Sequence, residues 1–337
     1  VSQAISGSGA LTKSGTGTLT LSAANTYTGA TTISTGTLAL TGAGSLSASS
    51  GVADNATFDI SGVTAGTSSI KSLSGNGGVT LGAKTLDITA ASGNFSGVIG
   101  GTGGLTLDSG TETLSGVNTY TGATTINGGT LALSGSGSIA ASSGVADAGT
   151  FDISAITGGS ASIKTLSGAG NVTLGAKTLT LTAAADTFSG SISGTGALAI
   201  TSGTETLTGT NSYSGGTTVS GGATLVVDAD GELGATTGGL TLNNGTLKFG
   251  ASFDLASTRA FALGAGGGTV DTNGNSTTVS QAISGSGALT KAGTGTLTLA
   301  AANTYTGATT INAGTLALTG SGSIATSSSL TDNATFD

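Results

Sequence analysis

The stretch Gly15-Thr-Gly-Thr-Leu-Thr-Leu-Ser-Ala-Ala-Asn-Thr-Tyr-Thr-Gly-Ala-Thr-Thr-Ile33 decides the fold of this chain. Leu19 and Leu21 alternate with threonines, and this period of two is typical of a β-strand with one buried face. Thr, Val and Ile favour strands, whereas Gly-Thr-Gly favours turns. No apolar stripe of period 3.6 persists, and each interior glycine would cost a helix about 1 kcal/mol relative to alanine. The stretch therefore predicts short strands joined by tight turns.

The motif Asn25-Thr-Tyr-Thr-Gly29 recurs along the chain. Its further copies are Asn118-Thr-Tyr-Thr-Gly122, Asn211-Ser-Tyr-Ser-Gly215 and Asn303-Thr-Tyr-Thr-Gly307. The steps are 118 − 25 = 93, 211 − 118 = 93 and 303 − 211 = 92 residues. The motif is predicted to mark one special turn per unit, through the structural positions Asn25, Tyr27, Asn118, Tyr120, Asn211, Tyr213, Asn303 and Tyr305.

A longer period lies over the first, because residues 279–337 repeat residues 1–59 at an offset of 278. The chain is therefore predicted to be one continuous segment over 1–337, a window on a long tandem array. Its internal units of about 93 residues are approximately 1–93, 94–186 and 187–278, followed by the partial unit 279–337.

A finer period sets the architecture. Apolar pairs at i and i+2, such as Leu38/Leu40 and Leu105/Leu107, recur at steps of about 19 to 26 residues, flanked by Thr, Ser and Gly. Short strands at an even step with glycine turns predict an all-β fold, a right-handed parallel β-helix of about 20 residues per coil. Stacked at about 4.8 Å per coil, the chain would form roughly 15 to 18 coils.

Composition excludes several classes of function. The chain has 337 residues and 63 glycines, but no Pro, Cys, Met, Trp or His. Disulfides, Fe–S clusters, ordinary zinc sites and His-based catalytic dyads are therefore excluded, and no cofactor is predicted. The net charge of −8 argues against nucleic-acid partners. No apolar run has the length of a membrane helix and no leader is evident, so this segment is expected neither to insert into a membrane nor to carry a signal peptide.

The 15–33 stretch, followed by Gly36-Thr-Leu, resembles the autotransporter-associated β-strand repeat. Gly264-Ala-Gly-Gly-Gly-Thr-Val-Asp-Thr-Asn-Gly274 and Ala282-Ile-Ser-Gly-Ser-Gly-Ala-Leu-Thr-Lys291 are similar to that family as well. The resemblance implies the passenger β-helix of a large secreted protein on a Gram-negative outer membrane, often an adhesin. The signal peptide and the translocating barrel of the full family architecture are not found in this sequence.

Few acidic residues suggest chemistry. Asp228, Asp230 and Glu232 lie within five residues and are candidate cation ligands, although the 12-residue spacing of a calcium loop is missing. A solvated turn is the favoured interpretation. Glu112 and Glu205 recur at equivalent positions, and without a second fixed acid each is expected to be a charge on the coil surface.

Three functions follow, from different classes. The favoured one is a structural and adhesive rod or fibre that serves attachment, biofilm formation or cell-surface scaffolding, because tandem units add length. Its expected location is extracellular or at the bacterial surface, tethered or shed. Its expected partners are other copies joined head to tail, or a ligand on a host or neighbouring cell. The alternatives are a Thr-array surface for ice or a glycan, and a polysaccharide-active β-helix enzyme, which is disfavoured because the only arginine is Arg259.

Overall fold

A computed structural model describes all residues from 1 to 337. The chain is an all-β parallel solenoid of about 16 turns with about 20 residues in each turn, which confirms the fold predicted from the sequence. The exception to strand and turn is one 3₁₀ turn, Asp230–Leu233. No segment forms a helix with the length and apolarity that crossing a bilayer requires.

The chain divides into two compact units. The first contains Val1–Lys164 and Gly170–Thr173, and the second contains Thr165–Ala169 and Leu174–Asp337. Each unit consists of parallel strands around an apolar interior. The internal 93-residue units predicted from the sequence are periods of the sequence within these compact units, and their status as domains stays a prediction.

The strands of the first compact unit are short, with between two and seven residues each. In chain order they are β1 (Leu11–Lys13), β2 (Thr18–Leu21), β3 (Thr31–Ile33), β4 (Thr37–Gly42), β5 (Val52–Asp54), β6 (Thr57–Val63), β7 (Thr67–Ile70), β8 (Leu73–Gly75), β9 (Gly78–Gly82), β10 (Thr85–Ile88), β11 (Asn94–Phe95), β12 (Val98–Gly101), β13 (Leu105–Leu107), β14 (Thr111–Leu114), β15 (Thr124–Ile126), β16 (Thr130–Gly135), β17 (Val145–Asp147), β18 (Thr150–Ile156), β19 (Ser160–Ile163) and, after β20 (Leu166–Gly168) of the second unit, β21 (Asn171–Thr173).

The second compact unit is built in the same way. Besides β20 its strands are β22 (Thr178–Leu181), β23 (Thr187–Phe188), β24 (Ser191–Ser193), β25 (Leu198–Ile200), β26 (Thr204–Leu207), β27 (Thr217–Ser220), β28 (Thr224–Val227), β29 (Leu240–Asn243), β30 (Gly245–Phe249), β31 (Phe261–Leu263), β32 (Gly268–Asp271), β33 (Thr277–Val279), β34 (Ile283–Gly285), β35 (Leu289–Ala292), β36 (Thr296–Leu299), β37 (Thr309–Ile311), β38 (Thr315–Leu318), β39 (Leu330–Asp332) and β40 (Thr335–Phe336).

Three parallel sheets make up the walls of each unit. In the first unit, sheet 1 has the order β1-β3-β5-β8-β11-β14-β16-β18-β21, sheet 2 has the order β2-β4-β6-β9-β12, and sheet 3 has the order β7-β10-β13-β15-β17. In the second unit, sheet 4 has the order β20-β23-β26-β28-β30-β32-β35-β37-β39, sheet 5 the order β22-β25-β27-β29-β31-β34, and sheet 6 the order β33-β36-β38-β40. A strand therefore pairs with the strand one coil earlier and one coil later.

Alternation along each strand produces the core. Strands such as β3 and β13 have buried first and third residues and a more exposed middle residue, because successive side chains point to opposite faces of a sheet. In-register pairing then stacks the inward residues of successive coils into columns. One column in sheet 2 runs Leu19, Leu38, Phe58, Val79, Ile99.

Equivalent strands of successive repeats lie in different sheets. In the first unit β3 lies in sheet 1, whereas its equivalent β15 lies in sheet 3; β4 lies in sheet 2, whereas its equivalent β16 lies in sheet 1. The cause is arithmetic, since a 93-residue repeat falls between four and five turns of about 20 residues. Each repeat of this unit therefore presents a given surface feature on another face of the solenoid.

Close packing of the coils requires glycine at the last position of each Asn-x-Tyr-x-Gly motif. A Cβ at Gly122 would lie 2.5 Å from the carbonyl carbon and oxygen of Gly103 on the neighbouring coil. Gly122 has no left-handed backbone angle, so it is the distance between backbones that demands glycine here. By contrast, a Cβ at Gly17 would meet nothing within 4 Å.

We predict that Gly122→Ala lowers the free energy of unfolding by about 1–3 kcal/mol, the usual cost of overpacking. The added methyl group forces apart the two coils that carry Gly122 and Gly103. Thermal unfolding followed by circular dichroism measures this loss. Gly17→Ala is the matched control and should change stability by no more than about 0.5 kcal/mol. Equal effects of the two substitutions would contradict the close-approach explanation.

Candidate functional site

The asparagine of each repeated motif fastens one coil to the coils on both sides of it. The Asn118 side chain is 3% exposed. Its Oδ1 accepts a hydrogen bond from the backbone N–H of Ile99 at 3.0 Å, and its Nδ2 donates to the carbonyls of Gly116 and Ser138, both at 3.1 Å. These are side-chain bonds that replace a backbone ladder where the chain turns. The same three-way arrangement surrounds Asn25, Asn211 and Asn303.

The tyrosine two residues later begins a buried chain of hydroxyl groups. The Tyr120 hydroxyl lies 2.7 Å from Thr124 Oγ1, and Thr124 Oγ1 donates to Ser142 Oγ at 3.0 Å. Ser142 Oγ in turn donates to the carbonyl of Gly122 at 2.9 Å. Every hydroxyl in this chain therefore has a partner, as a buried polar group requires. Burial raises the pKa of the phenol in all four repeats, so these tyrosines stay protonated hydroxyl groups at neutral pH.

In the third repeat, a backbone carbonyl takes the place of the serine as hydrogen-bond acceptor. Thr217 Oγ1 donates to the carbonyl of Leu233 at 3.2 Å, and Leu233 belongs to the 3₁₀ turn. Arg259, fully buried, holds this turn by donating to the carbonyls of Leu233 at 3.1 Å and Gly238 at 3.2 Å. Its Nε also donates to Asp230 Oδ1 and its Nη2 donates to Asp230 Oδ2, both at 2.9 Å.

Comparison with known families places these corners in a recognised repeat. The model of the passenger-associated-transport-repeat matches residues 11–40, 100–133, 201–227 and 289–318, and each match contains one Asn–Tyr corner. The four stretches that the model matches are referred to as the first to fourth transport repeats. The match confirms the autotransporter resemblance inferred from the sequence. No curated protein and no solved structure matches the chain.

We predict that Asn118→Ala destabilises the second transport repeat by roughly 1–3 kcal/mol for each buried group left without a partner. The backbone N–H of Ile99 would lose its partner, whereas the carbonyls of Gly116 and Ser138 would each lose one bond and keep a backbone bond. Hydrogen exchange should show the loss as faster exchange in coils on both sides of the corner. The control is Asn127→Ala, which removes an exposed bond from Asn127 Nδ2 to Asp108 Oδ1 at 2.8 Å. Unchanged exchange in Asn118→Ala would show that the corner does not join the coils.

The candidate cation residues of the third transport repeat are already engaged within the protein. Asp230 pairs with Arg259. Burial by itself would raise the pKa of Asp230, but the hydrogen bonds and charge of Arg259 hold this pKa below its ordinary value. Glu232 Oε2 accepts a bond from the backbone N–H of Asp228 at 2.6 Å. No group of three His, Cys, Asp or Glu side chains is arranged to hold a metal ion, and a cation at this turn stays a prediction.

The expectation that Glu112 and Glu205 are surface charges is wrong. Both are fully buried, and neither carboxyl oxygen of either residue has a hydrogen-bond partner. Each occupies an inward strand position, where Glu112 pairs in register with Leu131 and Glu205 with Leu225. Burial raises the pKa of Glu112 to about 8. Burial, with the nearby Asp186 charge, raises the pKa of Glu205 to about 9.

The first and fourth transport repeats each bury a lysine, at a different position of the repeat. Lys291 is fully buried, and its Nζ donates to Thr272 Oγ1 and to the carbonyls of Ala292, Gly293 and Ala313 at 2.7–3.0 Å. Burial lowers the pKa of Lys291 to about 8, although Asp271 acts in the opposite direction. Lys13, 6% exposed, binds the carbonyls of Gly15 and Thr35 in the same way. The amine thus closes a turn that would otherwise leave carbonyls unpaired.

We predict that the stability of the chain falls as the pH rises through the range set by the buried acids. Their folded-state pKa values lie above the ordinary 4.5, so stability is highest below about pH 4.5 and is lost towards pH 8 for Glu112 and pH 9 for Glu205. Each pH unit within this range costs up to about 1.4 kcal/mol per group. Denaturant unfolding between pH 5 and 9 measures the slope.

In Glu112→Gln and Glu205→Gln this pH slope should flatten. Leucine at either site should stabilise further at neutral pH, because the first and fourth repeats carry Leu19 and Leu297 at this position. The exposed carboxylate variant Asp108→Asn is the control. Below about pH 6 the buried Asp54 and Asp147, whose pKa values burial raises to about 6, also contribute to the slope. A fall in stability between about pH 6.5 and 8 that persists in the double glutamine variant would therefore refute the assignment.

Threonines form one column on the outside of sheet 4. Paired in register, the column consists of Thr204, Thr224, Thr246, Thr269, Thr290, Thr310 and Thr331. The neighbouring outward column on the same strands is mixed and contains Thr206, Val226, Lys248, Asp271 and Ala292. The flat two-column surface that a threonine array needs is therefore not formed on this sheet.

Proposed function

We propose that this chain is a structural and adhesive segment of a secreted bacterial passenger, which adds length and stiffness to a rod or fibre at the cell surface. The observation that supports it is the in-register stacking of successive coils. A strand such as β4 pairs with β2 on one side and β6 on the other, so each coil is completed by its neighbours. Arrays of this kind gain length by adding units and keep the same local contacts.

The chemistry of the repeated corners fits a structural role. Asn118, Tyr120 and Thr124 are buried and hydrogen-bonded within the protein, which keeps these groups away from a substrate in solvent. Arg259 is likewise committed to Asp230 and to backbone carbonyls. We therefore propose a role without catalysis for this segment.

Two arrangements at the cell surface agree with this role. In one, the segment belongs to a stalk that is tethered to the outer membrane and carries a binding element at its tip. In the other, copies join head to tail and form a fibre, because the open edges of terminal strands pair readily with further strands. The partners are accordingly a ligand on a host or neighbouring cell, or other copies of the chain.

We predict that electron microscopy of native cells and shed material, with an antibody against the repeat, shows labelled thin rods or filaments outside the cell. Rods of one fixed length rooted at the membrane support the stalk, and filaments much longer than one chain support the fibre. An antibody against a cytoplasmic protein controls for lysis. Label confined to the cytoplasm would overturn the proposal.

A further inference from the structure

Two acidic residues face each other on neighbouring coils of the second compact unit. Thr187 pairs in register with Thr206 on the next coil, so the residues just before them, Asp186 and Glu205, lie opposite each other. The backbone N–H of Thr206 donates to the carbonyl of Asp186 at 3.0 Å and holds this register. Because parallel strands lie about 4.8 Å apart, the two acids are nearest neighbours across the gap between the coils.

The surroundings of Glu205 offer nothing that would stabilise a negative charge. Its side chain is fully buried, and neither carboxyl oxygen has a hydrogen-bond partner. Leu225 faces it from the following coil. Over residues 178–227 the only Asp, Glu, Lys or Arg residues are Asp186 and Glu205, so these coils carry no cation. The remaining titratable side chain of this stretch is the buried, hydrogen-bonded phenol of Tyr213.

The acid pair is specific to the third transport repeat. In the second repeat the residue that faces Glu112 is Gly93, and a side chain there would collide with the carbonyl oxygen of Leu73. The first and fourth repeats carry Leu19 and Leu297 in place of the glutamate. The chain therefore contains one acid pair, one single buried acid and two apolar residues at equivalent positions, which makes the repeats an internal comparison.

Ionisation of Glu205 would be incompatible with the closed coils. It would place two like charges in register on adjacent strands, an arrangement that destabilises strand pairing, and one of the two would be buried without a counter-ion. Separation of the strands would bring the carboxylate into water and relieve this cost. Since each coil of a solenoid contacts only its neighbours, such an opening can be local and leave the other coils folded.

We propose that Asp186 and Glu205 form a pH-sensitive joint between two coils of the solenoid. The joint is closed while Glu205 carries its proton, and it opens by separation of β23 from β26 when that proton passes to solvent. No other bond is made or broken in this step. The inference holds for a stalk and for a fibre alike, because it depends only on contacts between adjacent coils.

The direction of the response follows from the burial of the acid. Burial and the charge of Asp186 raise the pKa of Glu205 in the closed joint to about 9, whereas in the open joint the carboxyl is in water and has its ordinary pKa. The closed joint is therefore most stable in acid, and opening becomes up to about 10-fold more favourable with each pH unit. This increase continues to about pH 9. For Glu112, whose pKa is about 8, the corresponding increase ends one unit lower.

The test is hydrogen exchange of the full chain between pH 6.5 and 9, followed by mass spectrometry and corrected for the intrinsic pH dependence of exchange. We expect the corrected rates at residues 187–188 and 204–207 to rise over the whole range. Around Glu112 they should level off near pH 8. The equivalent strands around Leu19 and Leu297 should show no such rise, because they carry no buried glutamate.

Variants separate the joint from a general loss of stability. Glu205→Gln and Glu205→Leu should each abolish the pH dependence at 204–207, and the leucine is the residue of the first and fourth repeats. Asp186→Asn should abolish only the rise between pH 8 and 9. The control Asp108→Asn, which changes an exposed carboxylate, should leave exchange at these strands unchanged.

Three results would overturn the proposal. The first is a pH-dependent exchange that rises uniformly along the chain, which would indicate global unfolding. The second is a rise at 204–207 that persists in both Glu205 variants. The third is an unchanged rise above pH 8 in Asp186→Asn, which would show that the two acids do not act as a pair.

Discussion

Backbone pairing between successive coils is the constraint on which this structure depends. Parallel strands must lie about 4.8 Å apart, so every coil has to repeat the path of the one before it. At the corners the backbones come so close that Gly122 and Gly103 face each other without side chains between them. The composition follows from this: small residues at the turns and one inward apolar residue at every second strand position.

The sequence was sufficient to predict the fold because the fold is periodic. The local signals are the alternation at Leu19 and Leu21, the glycines at the turns and a step near 20 residues. Each coil shows the same signals, so the fold can be predicted without long-range information. The buried acids were not predictable in this way. Glu112 stands in a Thr-Glu-Thr-Leu strand where the first repeat has Thr-Leu-Thr-Leu, and the sequence predicts a surface site there because glutamate is rarely buried without a partner.

The structural role of Arg259 was also not predictable from the sequence. It lies 29 residues after Asp230, and no local pattern connects the two. The corner of the third repeat has no such serine: the carbonyl of Leu233 accepts the bond from Thr217 instead, and Arg259, from a later coil, holds the turn that carries this carbonyl. An alignment of the repeats shows where the serine is absent, but only the three-dimensional stacking shows which residue replaces it.

The mismatch between repeat length and turn length has a consequence for how such a gene changes. Unequal crossing-over between near-identical repeats inserts or deletes one repeat at a time. In the first compact unit, such an event would preserve strand pairing at the junction, since equivalent strands occupy equivalent positions in neighbouring sheets. It would also turn every downstream surface feature to another side. Recombination could thus alter which groups face a neighbouring cell while leaving the hydrophobic interior untouched.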